Sequence, residues 1–229
     1  MILLREQHPQ PAPEARLVIF DCDGVLVDSE SISNGVLARM LTEEGLPTTL
    51  AEARRDYQGL LLGDVLKSAQ GRLPRPLPAD WLESYERERG EAFRRELEPV
   101  DGAAEAVELL SAAGIGVCVA SQGKLEKTLL SLELTGLGHL FAAGAVFSAE
   151  EVARGKPHPH LFLHAAAVMG ASPRQCVVVE DTPTGVIAAV CAGMRVFGYT
   201  PDSDRAALSR AGAQELDSLT QLPALLGVG

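Results

Sequence analysis

Residues 17–24 read LVIFDCDG, four consecutive apolar residues that end at two aspartates and a glycine. A short, unbroken apolar run is typical of a strand buried on both faces, as the central strands of parallel sheets are. One residue separates Asp21 from Asp23, so extended backbone can point both carboxylates the same way, and Gly24 allows an immediate turn. The segment therefore predicts a central parallel strand with two acidic side chains at its carboxyl end.

Residues 31–97 have a different pattern, with apolar residues at helical spacing, charged residues between them, and Gly or Pro between the segments. The helical segments lie at residues 33–45, 50–59, 63–73 and 79–97. This stretch predicts a helical insert between the first strand and the rest of the chain.

After Pro99 the pattern alternates between helices and apolar strands. Helices are predicted at residues 104–113, 124–135, 159–169 and 183–192, strands at 115–120, 145–148, 176–180 and 195–198, and a weaker final unit through Leu226. Repeated strand-helix units indicate an α/β fold with a doubly wound parallel sheet. Ligands of such sheets bind beyond the carboxyl ends of the strands, so the residues after each apolar run are the candidate site.

Acidic residues follow two of these predicted strands: Asp21 and Asp23 after the first, and Glu180 and Asp181 at the end of a later one. A lone Asp-x-Asp pair more often caps a turn and faces water. Four carboxylates at one sheet edge, however, cannot all stay ionised without a cation. Mg²⁺, which prefers oxygen ligands and is often held by carboxylates together with a substrate phosphate, is the predicted cofactor.

Two further segments suit phosphate binding. Ser121 ends an apolar strand, and Gln122 leads into a helix, so the hydroxyl and free backbone N–H groups can hold phosphate oxygens, although a plain helix cap fits equally well. Lys156 lies in the sequence GKPHP, residues 155–159, where prolines restrict the loop. A solvated surface lysine is the alternative interpretation.

Composition limits the partners. The formal charge of −11, without a Lys/Arg-rich block, repels nucleic acid and anionic membranes, so neither is an expected partner. The phosphate-binding segments instead make a small-molecule phosphate ester the expected partner. We expect a monomer or homodimer and a flexible tail over residues 1–15, which lack a signal-peptide core; no stretch is long enough for a membrane helix. The four cysteines lie in or beside apolar runs without metal-site spacing, which indicates reduced core thiols and a cytoplasmic protein.

Four motifs together resemble the haloacid dehalogenase superfamily, subfamily I, near the branch of phosphoglycolate phosphatase and β-phosphoglucomutase. They are FDCDGVLVDSE at 20–30, VASQGK at 119–124, GKPHP at 155–159 and VVVEDTPTGV at 177–186. The resemblance covers residues 16 to 226 and implies a Rossmann-like core formed by residues 16–29 and 98–229. It also implies that residues 30–97 form a helical cap domain, hinged near Asp28 and near Glu98.

The resemblance implies a role for each motif residue. Asp21 would attack phosphorus and form an aspartyl-phosphate, and Asp23 would act as general acid and then as base. Ser121, Gln122 and Lys156 would bind the transferring phosphoryl group, and Lys156 would also balance the charge of Asp21. The implied Mg²⁺ ligands are a carboxylate oxygen of Asp21, the main-chain carbonyl of Asp23, Asp181, and Glu180 directly or through water.

The cap loop at residues 57–63 would contact the substrate through Gln58, Leu60, Leu61 and Leu62. It lacks the lysine and arginine that the phosphoglucomutase pattern places around the loop glycine, and a mutase needs such a cation for its second phosphate. We therefore expect a phosphatase acting on a sugar, polyol or related phosphate monoester. A sugar phosphomutase, a dehalogenase, a phosphonate hydrolase that uses Lys67, and a non-catalytic metal or phosphate-binding module remain alternatives.

Overall fold

The computed structural model describes residues 15–57, 62–73, 75–201 and 203–228, and within these ranges six strands form one sheet. Its order is β3-β2-β1-β4-β5-β6, and every pair is parallel. The strands are β1 (Leu17–Phe20), β2 (Gly116–Ser121), β3 (Val146–Ser148), β4 (Cys176–Glu180), β5 (Arg195–Tyr199) and β6 (Gln214–Leu216). The predicted doubly wound parallel sheet is confirmed, with the apolar run at residues 17–20 as a central strand.

Helices connect the strands and pack against the sheet. They are α5 (Ala103–Ala112), α6 (Leu125–Leu134), α7 (His160–Val168), α8 (Pro183–Cys191), α9 (Arg205–Ala211) and α10 (Leu222–Leu225). Every residue of β1 and β4 is buried, and the strands share one hydrophobic core with the helices. Burial on both faces explains why these strands are continuous apolar runs instead of alternating ones.

The stretch after β1 forms four helices, as its spacing predicts. They are α1 (Glu30–Glu43), α2 (Leu50–Tyr57), α3 (Leu62–Gln70) and α4 (Trp81–Glu96). Their apolar faces form a second hydrophobic cluster, which includes Leu41, Tyr57, Val65, Trp81 and Tyr85. Helix α1 packs against both α2 and α4, so the apolar faces of the insert are buried in this shared cluster.

The two chain segments that join the helices to the sheet lie side by side. The N–H of Asp28 donates to the carbonyl of Glu98 at 3.0 Å, and a further bridge pairs Val27 with Pro99. Helix α4 also contributes Phe93 to the core of the sheet, so it contacts both hydrophobic clusters. The helical insert therefore leaves and rejoins the sheet at one place.

The structure corrects one detail of the sequence interpretation. Cys22, Cys118 and Cys176 are buried, but Cys191 is exposed, because the last turn of α8 places it on the outer face of the helix. Gln58, Leu60, Leu61 and most of the tail at residues 1–15 lie outside the described residues. Among the helices that are described, none is long and apolar enough to span a bilayer.

Candidate active site

Three carboxylates meet at the carboxyl edge of the sheet because β1 and β4 are neighbours. Phe20 pairs with Val179, and the N–H of Asp21 continues the ladder by donating to the Val179 carbonyl at 2.9 Å. Asp21 therefore follows the end of β1 and lies beside Glu180, the last residue of β4, and Asp181 comes next. Each of the three offers a carboxylate oxygen within 4.8 Å of the others, and all three residues are buried.

Lys156 joins two of these acids. Its Nζ lies 2.7 Å from Asp21 Oδ1 and 2.6 Å from Glu180 Oε1, and its side chain is only 4% exposed. Burial disfavours the charged amine, but the two carboxylates outweigh it and raise the pKa of Lys156 above its ordinary value. The solvated surface lysine is thus the wrong interpretation for this residue.

The amide side chain of Gln122 holds the loop that carries Lys156. Gln122 Oε1 accepts a hydrogen bond of 2.9 Å from the Lys156 N–H. Gly155 gives the amide room, because a Cβ there would lie 2.5 Å from Gln122 Nε2. Gln122 therefore positions Lys156, a function that the sequence does not predict.

Glu180 is held from its other side by the start of α8. Its Oε2 accepts hydrogen bonds from the Thr182 N–H at 2.9 Å and the Thr182 hydroxyl at 2.8 Å. Thr182 is also the N-cap of α8, whose hydroxyl accepts from the Gly185 N–H at 3.1 Å. A Cβ at Gly185 would lie 1.8 Å from Glu180 Oε1, so only glycine fits beside this carboxylate.

The cluster holds more negative charge than Lys156 can balance. Burial is the largest cause that raises the pKa of Asp21 to about 7, with further contributions from Glu180 and Asp23 against Lys156. Burial, Glu180 and Asp21 together raise the pKa of Asp181 well above its ordinary value. Asp181 Oδ1 is buried and has no hydrogen-bond partner among the described residues. An orphaned carboxylate oxygen beside two other acids fits a divalent cation.

Gly24 brings the chain close to this orphaned carboxylate. Its φ of 77° is in the left-handed region that glycine favours, and a Cβ there would lie 2.2 Å from Asp181 Oδ2. The turn that follows Asp23 therefore depends on glycine both for its backbone conformation and for the space it leaves to Asp181.

Asp23 points to a different set of partners. Its Oδ1 accepts hydrogen bonds from the Ser29 hydroxyl and the Lys127 ammonium group. Burial alone would raise the pKa of Asp23, but Lys127 and Ser29 outweigh burial and lower it. In the described part of the chain, the carboxylates that can share a metal are Asp21, Glu180 and Asp181, without the Asp23 side chain. Binding through the Asp23 main-chain carbonyl stays a prediction.

The sequence pattern does not predict the role of Lys127. It lies on α6, and its side chain is 14% exposed because it packs over the Phe93 ring, 5.5 Å from the ring centroid. The only signal in the sequence is a second lysine three residues after Lys124, near the start of a helix that follows a sheet strand. Such a lysine is usually solvated, so the pattern alone could not identify it.

Ser121 is the last residue of β2 and is buried. Its Oγ accepts a hydrogen bond of 3.0 Å from the Gly123 N–H, which tightens the turn into α6. This is a contact within the turn and not a helix cap, because α6 begins at Leu125 with Lys124 as its N-cap and without a side-chain cap. Phosphate binding by Ser121 stays a prediction.

A cavity of about 350 Å³ opens above these residues, between the sheet edge and helices α1 to α4. Such a volume is at the small end of the range for metabolite sites. The sheet side contributes Asp21, Asp23, Gln122, Lys127, Lys156 and Glu180. The helical side contributes Asn34, Tyr57, Leu62, Tyr85, Glu86 and Arg89. Leu62 is thus the one predicted cap residue within the described ranges, and it does line the cavity.

Comparison with known proteins agrees with this arrangement. The family model of haloacid dehalogenase-like hydrolases matches residues 15–193. The chain is 32% identical over 211 residues to 6-phosphogluconate phosphatase of Escherichia coli K12, covering 91% of this chain and 93% of the relative. It is 33% identical over 215 residues to hexitol phosphatase B of the same strain, covering 91% and 96%.

A solved structure is similar along almost the whole chain. It is a hydrolase of the haloacid dehalogenase family from Deinococcus radiodurans R1, determined with bound phosphate and sodium. Identity is 34%, the TM-score is 0.79, and the match covers 94% of this chain and 97% of that one.

Proposed function

Since the chain belongs to the haloacid dehalogenase-like hydrolases and is a phosphoric monoester hydrolase of that family, we propose that it is a Mg²⁺-dependent phosphatase for small sugar or polyol monophosphates. Catalysis proceeds through an aspartyl-phosphate on Asp21. The observation that carries the proposal is the buried cluster of Asp21, Glu180, Asp181 and Lys156 at the floor of a metabolite-sized cavity.

Asp21, Glu180 and Asp181 are the proposed holders of the cation, together with the main-chain carbonyl of Asp23. The orphaned Oδ1 of Asp181 and the raised pKa of Asp21 support this assignment, because buried carboxylates outnumber the one cation, Lys156, that pairs with them. When bound, Mg²⁺ would offset the repulsion between an anionic nucleophile and an anionic phosphoryl group.

Asp21 is the proposed nucleophile. Its carboxylate oxygen forms a bond to phosphorus as the bond from phosphorus to the ester oxygen breaks, and Asp23 gives its proton to the departing alcohol. Water then attacks the aspartyl-phosphate, Asp23 takes the water proton, and phosphate leaves with the Asp21 carboxylate restored. Lys156 holds Asp21 in place and donates to the phosphoryl oxygens, together with Ser121 and Gln122.

The contacts of Asp23 match the second of these steps. Lys127 and Ser29 favour the ionised carboxylate, which is the form that activates water. Both of their hydrogen bonds go to Oδ1. Donation in the first step requires the protonated form, so Asp23 exchanges its contact with Lys127 for the ester oxygen when substrate fills the cavity. This exchange is part of the proposal.

Residues 30–97 act as the cap in this proposal, and residues 16–29 and 98–229 form the core. The adjacent linkers at Asp28 and Glu98 are the proposed hinge, since both residues lie outside the two hydrophobic clusters and the chain enters and leaves the insert there, side by side. Closure excludes water from the cavity and shapes the contact with the leaving group.

Hydrolysis is favoured over phosphomutase activity by the charges in the cavity. A mutase must hold a bisphosphate at both ends, which calls for several uncommitted cations away from the nucleophile. Lys124, Lys127 and Lys156 already pair with Glu86, Asp23 and Asp21, respectively. Among the described residues that line the cavity, this leaves a single cation without an ion pair, Arg89. Water is therefore the expected phosphoryl acceptor, and a mutase remains the alternative.

The test measures phosphate release from a panel of sugar, polyol and glycolate phosphates, with Mg²⁺ and with EDTA. The same assay follows conversion of glucose 1-phosphate to glucose 6-phosphate. The expected result is metal-dependent release that Asp21→Asn abolishes and Asp101→Asn, an exposed control, retains. Isomerisation without net release would show a mutase instead, and release in EDTA equal to that in Mg²⁺ would refute the metal requirement.

A further inference from the structure

Four cationic side chains line the cavity, and acidic groups neutralise three of them. Lys156 contacts Asp21 and Glu180, and Lys127 contacts Asp23. Lys124 Nζ lies 2.7 Å from Glu86 Oε1. The fourth cation, Arg89 on α4, has no carboxylate partner among the described residues.

Aromatic rings hold Arg89 in place instead of an acid. The carbon at the centre of its guanidinium group lies 5.2 Å from the ring centroid of Tyr85 and 5.9 Å from that of Phe93. Both rings are almost fully buried, so the platform is rigid. A guanidinium group on such a platform loses little conformational freedom when it binds an anion, because stacking already restricts it.

Arg89 lies on the helical side of the cavity, opposite the acidic floor. It is close enough to the other cations to lower the pKa of Lys127 as a secondary influence, after burial and the acidic partners of that lysine. Its positive charge also contributes to lowering the pKa of Asp23, after Lys127 and Ser29, although no described carboxylate forms an ion pair with it. A cation without an ion-pair partner is stabilised further when the substrate brings an anion to it.

We propose that Arg89 is a specificity-determining residue that binds a carboxylate on the leaving group, so that the preferred substrates are phosphorylated sugar acids. This inference rests on the proposed phosphatase function and adds the chemical class of its substrate. The phosphoryl group would bind at Asp21 and Lys156, and the carboxylate would face the cap.

A carboxylate fits Arg89 better than a second phosphate does. The planar guanidinium group donates two parallel hydrogen bonds to the two oxygens of a carboxylate. A second phosphate carries nearly twice the charge, and Arg89 is the only uncommitted cation among the described residues that line the cavity. One guanidinium group balances one carboxylate.

The test compares two monophosphates with the same open carbon chain. 6-Phosphogluconate carries a carboxylate where sorbitol 6-phosphate carries a hydroxymethyl group. We expect Arg89→Met to lower kcat/KM for 6-phosphogluconate by about tenfold or more, as the loss of a charged hydrogen-bonded contact does, with a much smaller change for sorbitol 6-phosphate. Arg87→Met is the matched control, because Arg87 is an exposed residue of the same helix. It should leave the ratio between the two substrates unchanged.

Each outcome separates this inference from the function on which it rests. If both monophosphates are hydrolysed and Arg89→Met does not change the ratio of their kcat/KM values, the carboxylate subsite is wrong while the phosphatase function is supported. Absence of release from both in the unaltered protein would overturn the phosphatase and the inference together. Glucose 1,6-bisphosphate is the third substrate in the test. If its kcat/KM exceeds that of 6-phosphogluconate and Arg89→Met removes the difference, the subsite binds a phosphate and the carboxylate assignment is wrong.

Discussion

Lys156 Nζ lies 2.7 Å from Asp21 Oδ1, although 135 positions of sequence separate the two residues. The contact exists because β1 is central in the sheet and the loop that carries Lys156 is tied to the turn after β2 through Gln122. The contact favours the ionised form of the Asp21 carboxylate, and it also fixes the position of the Lys156 amine. Stability and activity should therefore depend on the same ion pair.

Replacing Lys156 tests this dependence. Lys156→Met leaves Asp21 and Glu180 buried without their cation, and breaking a buried ion pair on one side costs about 3 to 5 kcal/mol. We expect a loss of unfolding free energy in that range in urea titrations with EDTA, and no measurable phosphate release. Lys67→Met is the control, because that lysine is 82% exposed and its loss should change neither quantity by much. A stable, active Lys156→Met variant would contradict the role given to the pair.

Removing the orphaned carboxylate should raise the stability of the metal-free protein. Asp181→Asn takes away a buried charge that lacks a partner, so its melting temperature in EDTA should equal or exceed that of the unaltered protein. Mg²⁺ at one hundred times its Kd should add about 2.7 kcal/mol to the free energy of unfolding of the unaltered protein and so raise its melting temperature. The melting temperature of the variant should not change. An equal Mg²⁺ effect on both proteins would show that the ion binds elsewhere.

The pKa of Asp21 predicts how stability depends on pH in the absence of metal. Its pKa rises from 3.8 to about 7 on folding, mainly through burial, so the folded protein binds more protons than the unfolded chain between these values. The contribution of Asp21 to the free energy of unfolding therefore falls as pH rises from about 4 to about 7. In EDTA, Asp21→Asn should lose less stability over this range than the unaltered protein. Parallel curves would contradict the shift.

The space beside Glu180 depends on a single glycine. Gly185→Ala would place a methyl group 1.8 Å from Glu180 Oε1, which must displace the carboxylate from Lys156 and Thr182. Overpacking of this kind costs about 1 to 3 kcal/mol, and we expect kcat to fall more than tenfold with it. Gly35→Ala is the control, because Gly35 lies on α1 and nothing lies within 4 Å of the added methyl group. Alanine favours the helix, so this change should raise the free energy of unfolding by about 0.5 to 1 kcal/mol.

The sequence predicts the parts of this protein that local patterns determine. The apolar run before Asp21 and the alternating strand and helix patterns after Pro99 predict the parallel sheet, and the helical spacing of residues 31–97 predicts the four inserted helices, because each pattern depends on neighbouring residues. The carboxyl-edge rule then brings Asp21 and Glu180 together before any coordinates are known.

Contacts that depend on the packing of distant elements could not be predicted. Lys127 reaches Asp23 across 104 positions of sequence, and Arg89 enters the cavity from the insert only because α4 lies against α6. Nothing in the local sequence distinguishes either residue from a solvated cation on a helix. The orphaned oxygen of Asp181 is likewise a property of the assembled site.

The central claim is that the phosphoryl group passes through Asp21, and the most direct measurement is mass spectrometry after a rapid acid quench during turnover. The unaltered protein, mixed with Mg²⁺ and a hydrolysed substrate, should yield a peptide containing Asp21 that carries one added phosphoryl group, and hydroxylamine should remove it. Asp21→Asn should show none. Phosphate release without any phosphorylated peptide, or with the group on another residue, would contradict the account.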